Sequence, residues 1–183
     1  MITRFIGIAL VCAALFPLES ASSEFATYKN SQYGFSFSYP RSWAQEPPRS
    51  GLGVIKISSE GGYGDASCNV VVYRAPDLRN KTTPEAVREM SPSVLIRELR
   101  RGGINDARVL ESGLTKVFNR DAFFAIFSYS IQTMGAIFSV KTFQVITTKS
   151  DVVFTFSCGA DSRSFSTIYP TFRVIIGSLF IDP

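Results

Sequence analysis

The stretch Tyr33-Gly34-Phe35-Ser36-Phe37-Ser38-Tyr39-Pro40 sets an aromatic ring at every second position, with Gly or Ser between. A period of two is the signature of a strand with one buried face, and Pro40, which has no N–H to give to a ladder, ends it. Two more strands follow by the same logic, Leu52 to Ser58 and Ser67 to Arg74, separated by the glycine-rich loop Glu60-Gly61-Gly62-Tyr63-Gly64-Asp65. These first three strands read as antiparallel neighbours.

Further along, the period changes. Thr83 is placed to accept from the first free N–H groups of a helix, and Pro84 is preset for its first turn. Val87, Met90, Val94, Leu95 and Leu99 then fall on one face, with Arg88, Arg97, Arg100 and Arg101 mainly elsewhere. Ser91-Pro92 kinks or restarts this helix, and Gly102-Gly103 closes it as a left-handed cap requires. Four further strands are expected: Ala107 to Glu111, Asp121 to Thr133, Ala136 to Thr147 and Val152 to Cys158. Met134-Gly135 and Lys149-Ser150-Asp151 supply two of the turns. Phe165, Ile168, Phe172, Ile175, Ile176 and Leu179 recur every three or four residues as a closing helix, interrupted near its start by Pro170. Strands in this order, with only two main helices, cannot supply the crossovers of a parallel sheet. The expected fold is α+β, an antiparallel meander packed by two main α-helices.

Upstream of the aromatic strand, Met1-Ile2-Thr3-Arg4 is a short positive start, Phe5 to Phe16 is apolar or small throughout, and Ser20, Ala21, Ser22 and Ser23 offer a small-residue exit. The run is too short for a bilayer, which needs about 20 residues, but suits an export leader of about 7–15. Residues 1–23 are therefore expected to be a signal peptide, and residues 24–183 a single domain that is periplasmic or secreted. Val11 is too large to precede a lipid-modified Cys12, so plain export is preferred over a lipoprotein. A chain of 45% apolar and 19% charged residues is globular in composition, and no later apolar stretch reaches membrane-spanning length. The net charge of +4 is a mild excess without the clustered cations of a nucleic-acid footprint.

Tyr28-Lys29-Asn30, the Tyr33 to Pro40 strand and Ser42-Trp43 together resemble the opening of the PsbP-like domains, a superfamily that includes DcrB-type bacterial envelope proteins and a eukaryotic Ran-binding import factor. The later order of elements is similar too, down to the closing Ile175-Ile176-Gly177-Ser178-Leu179-Phe180. The resemblance implies an α/β sandwich and an accessory or binding role, and it carries no catalytic residues across.

The chemistry of the chain is bounded by what it lacks. There is no histidine, so Ser-His-Asp and Cys-His nucleophiles, imidazole bases and His-Glu-x-x-His zinc sites are excluded within the chain. Ser-x-x-Lys, Gly-x-Ser-x-Gly, P-loop and Cys-x-x-Cys patterns are absent as well. No catalytic residue, cofactor or metal is assigned.

Cys68 and Cys158 lie on the apolar phase of their strands, and an exported pair is either a disulfide or two separate buried thiols. Arg97, Arg100 and Arg101 form either a cationic contact strip or a solvated helix face interleaved with Glu85, Glu89 and Glu98. Tyr28, Tyr33, Tyr39 and Trp43 either line a pocket or pack the core. The glycines at 61, 62 and 64 do not make a dinucleotide fingerprint. The leading expectation is a non-catalytic binding or accessory protein that engages a protein partner or an apolar ligand through a sheet face, loop or groove. The alternatives are a carboxylate-dependent envelope hydrolase and a small-ligand or lipid carrier.

Overall fold

A computed structural model describes residues 24–48, 53–59, 66–118, 120–133 and 135–183. The expected leader, Leu52 at the start of the second strand, the loop glycines at 61, 62 and 64, and Met134 lie outside the described residues. Among the described residues, ten strands and three α-helices run in the order β1 (Phe25–Asn30), β2 (Phe35–Pro40), β3 (Ala44–Glu46), β4 (Gly53–Ser58), β5 (Ser67–Arg74), α1 (Thr83–Arg88), α2 (Pro92–Arg101), β6 (Arg108–Val117), β7 (Arg120–Thr133), β8 (Ala136–Lys149), β9 (Val152–Asp161), α3 (Phe165–Gly177) and β10 (Phe180–Ile181). A short 3₁₀ turn, Pro76–Leu78, follows β5.

The strands form two antiparallel sheets, not one. The aromatic strand β2 sits between β1 and β10 in a three-stranded sheet, and the remaining strands form a seven-stranded sheet in the order β3-β4-β5-β9-β8-β7-β6. The expectation that the first three strands are neighbours therefore holds for β4 and β5 and fails for β2. Alternation reveals which face a strand buries but not which strand lies beside it, and β10, the partner that pins β2 from the far end of the chain, is only two residues long.

The main core lies between these two sheets. Phe35 meets Phe154 and Phe156 edge-to-face with ring centroids 6.1 and 5.8 Å apart, and Phe37 meets Phe156 at 6.3 Å. Helix α3 completes this layer by burying Phe165, Phe172, Ile175 and Ile176. On the opposite face of the large sheet, α1 and α2 cover Phe123, Ala125 and Phe127 of β7 with Val87 and Leu95. The molecule is thus three layers: a helical pair, the large sheet, and the small sheet with α3.

The helix expected from Thr83 to Gly103 is divided. Pro92 opens α2, and Ser91 caps it by accepting from the Val94 N–H at 3.3 Å. The N-cap of α1 is Thr82, one residue earlier than expected. The Glu85 carboxylate reaches back to accept from the Thr82 N–H and hydroxyl, each at 2.8 Å. Thr83 is helical, and its hydroxyl donates to the Thr148 carbonyl at 3.0 Å, tying α1 to β8. The Thr82-x-x-Glu85 spacing of a capping box was the sequence signal that favoured Thr82, and Pro84, set for the first helical position, pointed instead to Thr83. The closing glycines behave as expected: Gly103 has φ +89°, and the Ile104 N–H donates to the Leu99 carbonyl at 2.9 Å.

Candidate functional site

Strand β9 shows why one face of the large sheet is left open. Its inward residues, Phe154, Phe156, Cys158 and Ala160, are buried in the main core. The alternate residues Val153, Thr155, Ser157 and Gly159 shrink along the strand on the helical side. Val153 packs under Leu78 and Ala86. Beyond it, β9 offers Thr155, Ser157 and Gly159, and β5 offers Asn69 and Ser67 past the part-buried Val71, so little apolar surface remains for a helix to bury. Helix α2 instead lies toward β6. A groove remains between its apolar face and the exposed strands.

The groove has two lobes that meet at Leu99 and Gln144. The first, about 370 Å³, has a polar floor of Ser67, Asn69, Thr142, Gln144 and Ser157 and apolar walls that include Phe127, Tyr129 and Phe138. The Gln144 side chain is fixed through its Nε2, which donates to Ser157 Oγ at 2.9 Å, while its buried Oε1 has no hydrogen-bond partner among the described residues. Phe127 and Tyr129 stack at 5.9 Å with their planes 26° apart. The second lobe, about 490 Å³, is lined largely by Leu78, Met90, Val94, Leu95, Ile146 and Val153.

Among the described residues, the charged side chains that border the groove are Asp161 in the first lobe and Asp77, Glu89, Arg97 and Glu98 in the second. Asp161, at the edge of the first lobe, pairs with Arg163 at 2.9 Å, and this guanidinium holds its carboxyl below the ordinary range. Glu98, at the edge of the second, accepts from Arg97 at 3.3 Å and Arg101 at 2.9 Å and is likewise depressed, first by the Arg97 contact. Glu89 pairs with Lys81 at 2.5 Å. Burial first, then the charges of Glu98 and Asp77, push the Tyr73 phenol upward, so it stays a neutral donor at the groove edge.

The residues singled out from sequence are dispersed. Tyr39 and Trp43 are buried between the sheets: Tyr39 Oη accepts from Gln45 Nε2 at 2.5 Å, and Trp43 meets Phe172 edge-to-face at 6.3 Å. Tyr28 packs against Phe35 and Phe37. Tyr33 borders a third hollow of about 610 Å³ that it shares with Arg74, Lys149 and Asp151. Of the arginines, Arg97 and Arg101 are engaged by Glu98, Arg97 edges the second lobe, and Arg100 is exposed. Cys68 and Cys158 stand directly opposite on β5 and β9 with Cα atoms 4.0 Å apart, and their sulfurs are bonded.

Sequence reading missed Gln144, Ser157, Thr142, Asn69 and Tyr129. The available signal was a lone amide or hydroxyl within an apolar strand, as in Phe143-Gln144-Val145 and Phe156-Ser157-Cys158. Only the register, which sets Gln144 opposite Ser157 and Asn69 opposite Ser157 from the other side, shows that these residues converge.

A sequence profile of the PsbP family matches residues 23–181. The chain belongs to the PsbP family. Among solved structures, cyanobacterial PsbP (CyanoP) from Synechocystis sp. PCC 6803 is similar with a TM-score of 0.66 and 13% identity, covering 91% of this chain and 100% of that one. A protein of unknown function from Pseudomonas aeruginosa is similar with a TM-score of 0.53 and 10% identity, over 87% of this chain and 99% of that one. LpqN, involved in cell envelope biogenesis of Mycobacterium tuberculosis, is similar with a TM-score of 0.53 and 13% identity, over 87% and 91% of the two chains. At such identities the likeness is one of fold. No curated protein is similar enough to count as a match. Among the described residues, no cluster of His, Cys, Asp and Glu could hold a metal, and no helix is long and apolar enough to cross a membrane.

Proposed function

We propose that this PsbP-family chain is an exported accessory protein that binds its target without transforming it, taking an apolar group into the groove beside α2. The observation that carries this reading is the second lobe, an apolar trough that the helical layer leaves open to solvent. A groove that buries apolar ligand surface gains about 25 cal/mol per Å². Two of the three acids that line it, Glu89 and Glu98, are engaged by cations, which favours binding over carboxylate-dependent hydrolysis. Export is supported by the bonded Cys68–Cys158 pair, because disulfides persist in oxidising compartments.

The test is fluorescence titration of the mature chain with N-phenyl-1-naphthylamine, an apolar reporter that brightens when desolvated. Saturable brightening is expected, weakened about tenfold or more by Val94→Arg or Leu99→Arg in variants that keep the parent melting temperature. A reporter that stays dark, or that both variants bind as well as the parent, would remove the groove from consideration. Mass spectrometry of extracellular or periplasmic fractions should find a chain beginning near Ser23. An unprocessed chain confined to the cytosol would contradict export.

A further inference from the structure

We propose that the first lobe recognises a neutral saccharide. This rests on the reading of the face beside α2 as a binding groove, and it names the chemistry of the lobe that an apolar group would suit least. The floor residues Ser67, Asn69, Thr142, Gln144 and Ser157 bring hydroxyls and carboxamides together on three adjacent strands. An apolar occupant would strip water from these groups and return no hydrogen bonds. A polyhydroxylated ring both donates and accepts.

Gln144 makes the requirement specific. Its amide is oriented by the bond to Ser157, which leaves Oε1 as a buried acceptor in need of a donor. Where the carboxamide turns toward the lobe, a sugar hydroxyl is such a donor; a carboxylate or phosphodiester oxygen is not. The stacked pair of Phe127 and Tyr129 forms one wall, and its Tyr129 edge is only half-buried. Aromatic faces carry partial negative charge, which favours the polarised C–H bonds of a pyranose over an anionic group.

Charge points the same way. Among the described residues no Lys or Arg lines this lobe, and the one acid that does, Asp161, is held by Arg163. An anionic ligand finds no counter-charge here, and a cationic one finds only a carboxylate already engaged. Gly159 keeps the floor low, since a Cβ there would lie 3.0 Å from Thr142 Oγ1. At about 370 Å³, the lobe suits one or two sugar rings.

The experiment titrates the full mature chain with maltose, cellobiose and N,N′-diacetylchitobiose, followed by calorimetry and saturation-transfer NMR. At least one should bind, with transfer strongest at ring C–H protons. Tyr129→Ala and Gln144→Met should each weaken it about tenfold or more, and glucuronate or glucose 6-phosphate should bind more weakly than glucose. Because Gln144→Met removes a buried unpaired oxygen, it should melt no lower than the parent, which separates lost recognition from lost folding. Failure of all three sugars, a preference for the anionic analogues, or full affinity in well-folded Gln144→Met would overturn the proposal. If the naphthylamine reporter binds while sugars do not, the saccharide reading falls and the groove stands. If neither binds, both fall.

Discussion

Gln144 and Asp151 show opposite fates of a polar group placed among apolar neighbours. Among the described residues Gln144 has one partner for its nitrogen and none for its oxygen, and a buried unpaired acceptor costs about 1–3 kcal/mol. Gln144→Met is therefore expected to leave the melting temperature unchanged or raise it by a few degrees, with emission of the single tryptophan, Trp43, as the reporter. A clear fall would show that the carboxamide is structural. Asp151 is fully answered: Arg79 and Arg74 each reach it at 3.2 Å. The Arg79 hydrogen bond, then the Arg74 charge, hold its carboxyl below the usual value. A depressed folded value means stability that is complete above about pH 4 and lost as pH falls through the folded value. Asp151→Asn should thus melt lower than the parent at pH 7, and the gap should close as pH drops below about 4. Both arginines are largely exposed, so added salt should narrow the gap too. A gap that widens on acidification would contradict this assignment.

Helix α2 was readable in outline because its apolar stripe, its opening proline and its closing glycines are local signals. Its end depends on one backbone conformation. Gly103 holds φ +89° with open space around the position of a Cβ, so Gly103→Ala meets conformational strain and no clash. The expected cost is about 1–2 kcal/mol, seen as a fall of a few degrees in thermal unfolding. An unchanged midpoint would mean that the cap relaxes freely. The arginine strip on the same helix illustrates the limit of local reading. Charge positions were evident, but that Glu98 sits between Arg97 and Arg101, and that Arg97 edges the groove, follows from side-chain placement. Strands β1, β3 and β10 were missed for a related reason. The last two, three and two residues long, are too short to show a period; β1 and β3 pair with the next strands in sequence, β2 and β4, whereas β10 depends on β2 across the fold.

Across the whole molecule, the Cys68–Cys158 bond joins central strands of the large sheet over a sequence separation of 90 residues. Closing a loop of that length restricts the unfolded chain most strongly, and loss of such a bond typically costs about 2–5 kcal/mol. Reduction, or the paired change Cys68→Ala with Cys158→Ala, should lower the melting midpoint by roughly 5–15 °C. A reduced protein that melts with the oxidised one would show that the β5–β9 pairing is held without the bond.

Composition and pattern alone determined the family likeness, the α+β class, the absence of imidazole chemistry and the phase of nearly every long strand, because each is a local property of residue type and spacing. The division into two sheets, the pairing of the cysteines and the convergence of Gln144, Ser157, Thr142 and Tyr129 on one hollow were decided by tertiary structure. Strand order and register are set by the joint burial of distant faces, and a groove exists only where the covering layer stops short of the sheet.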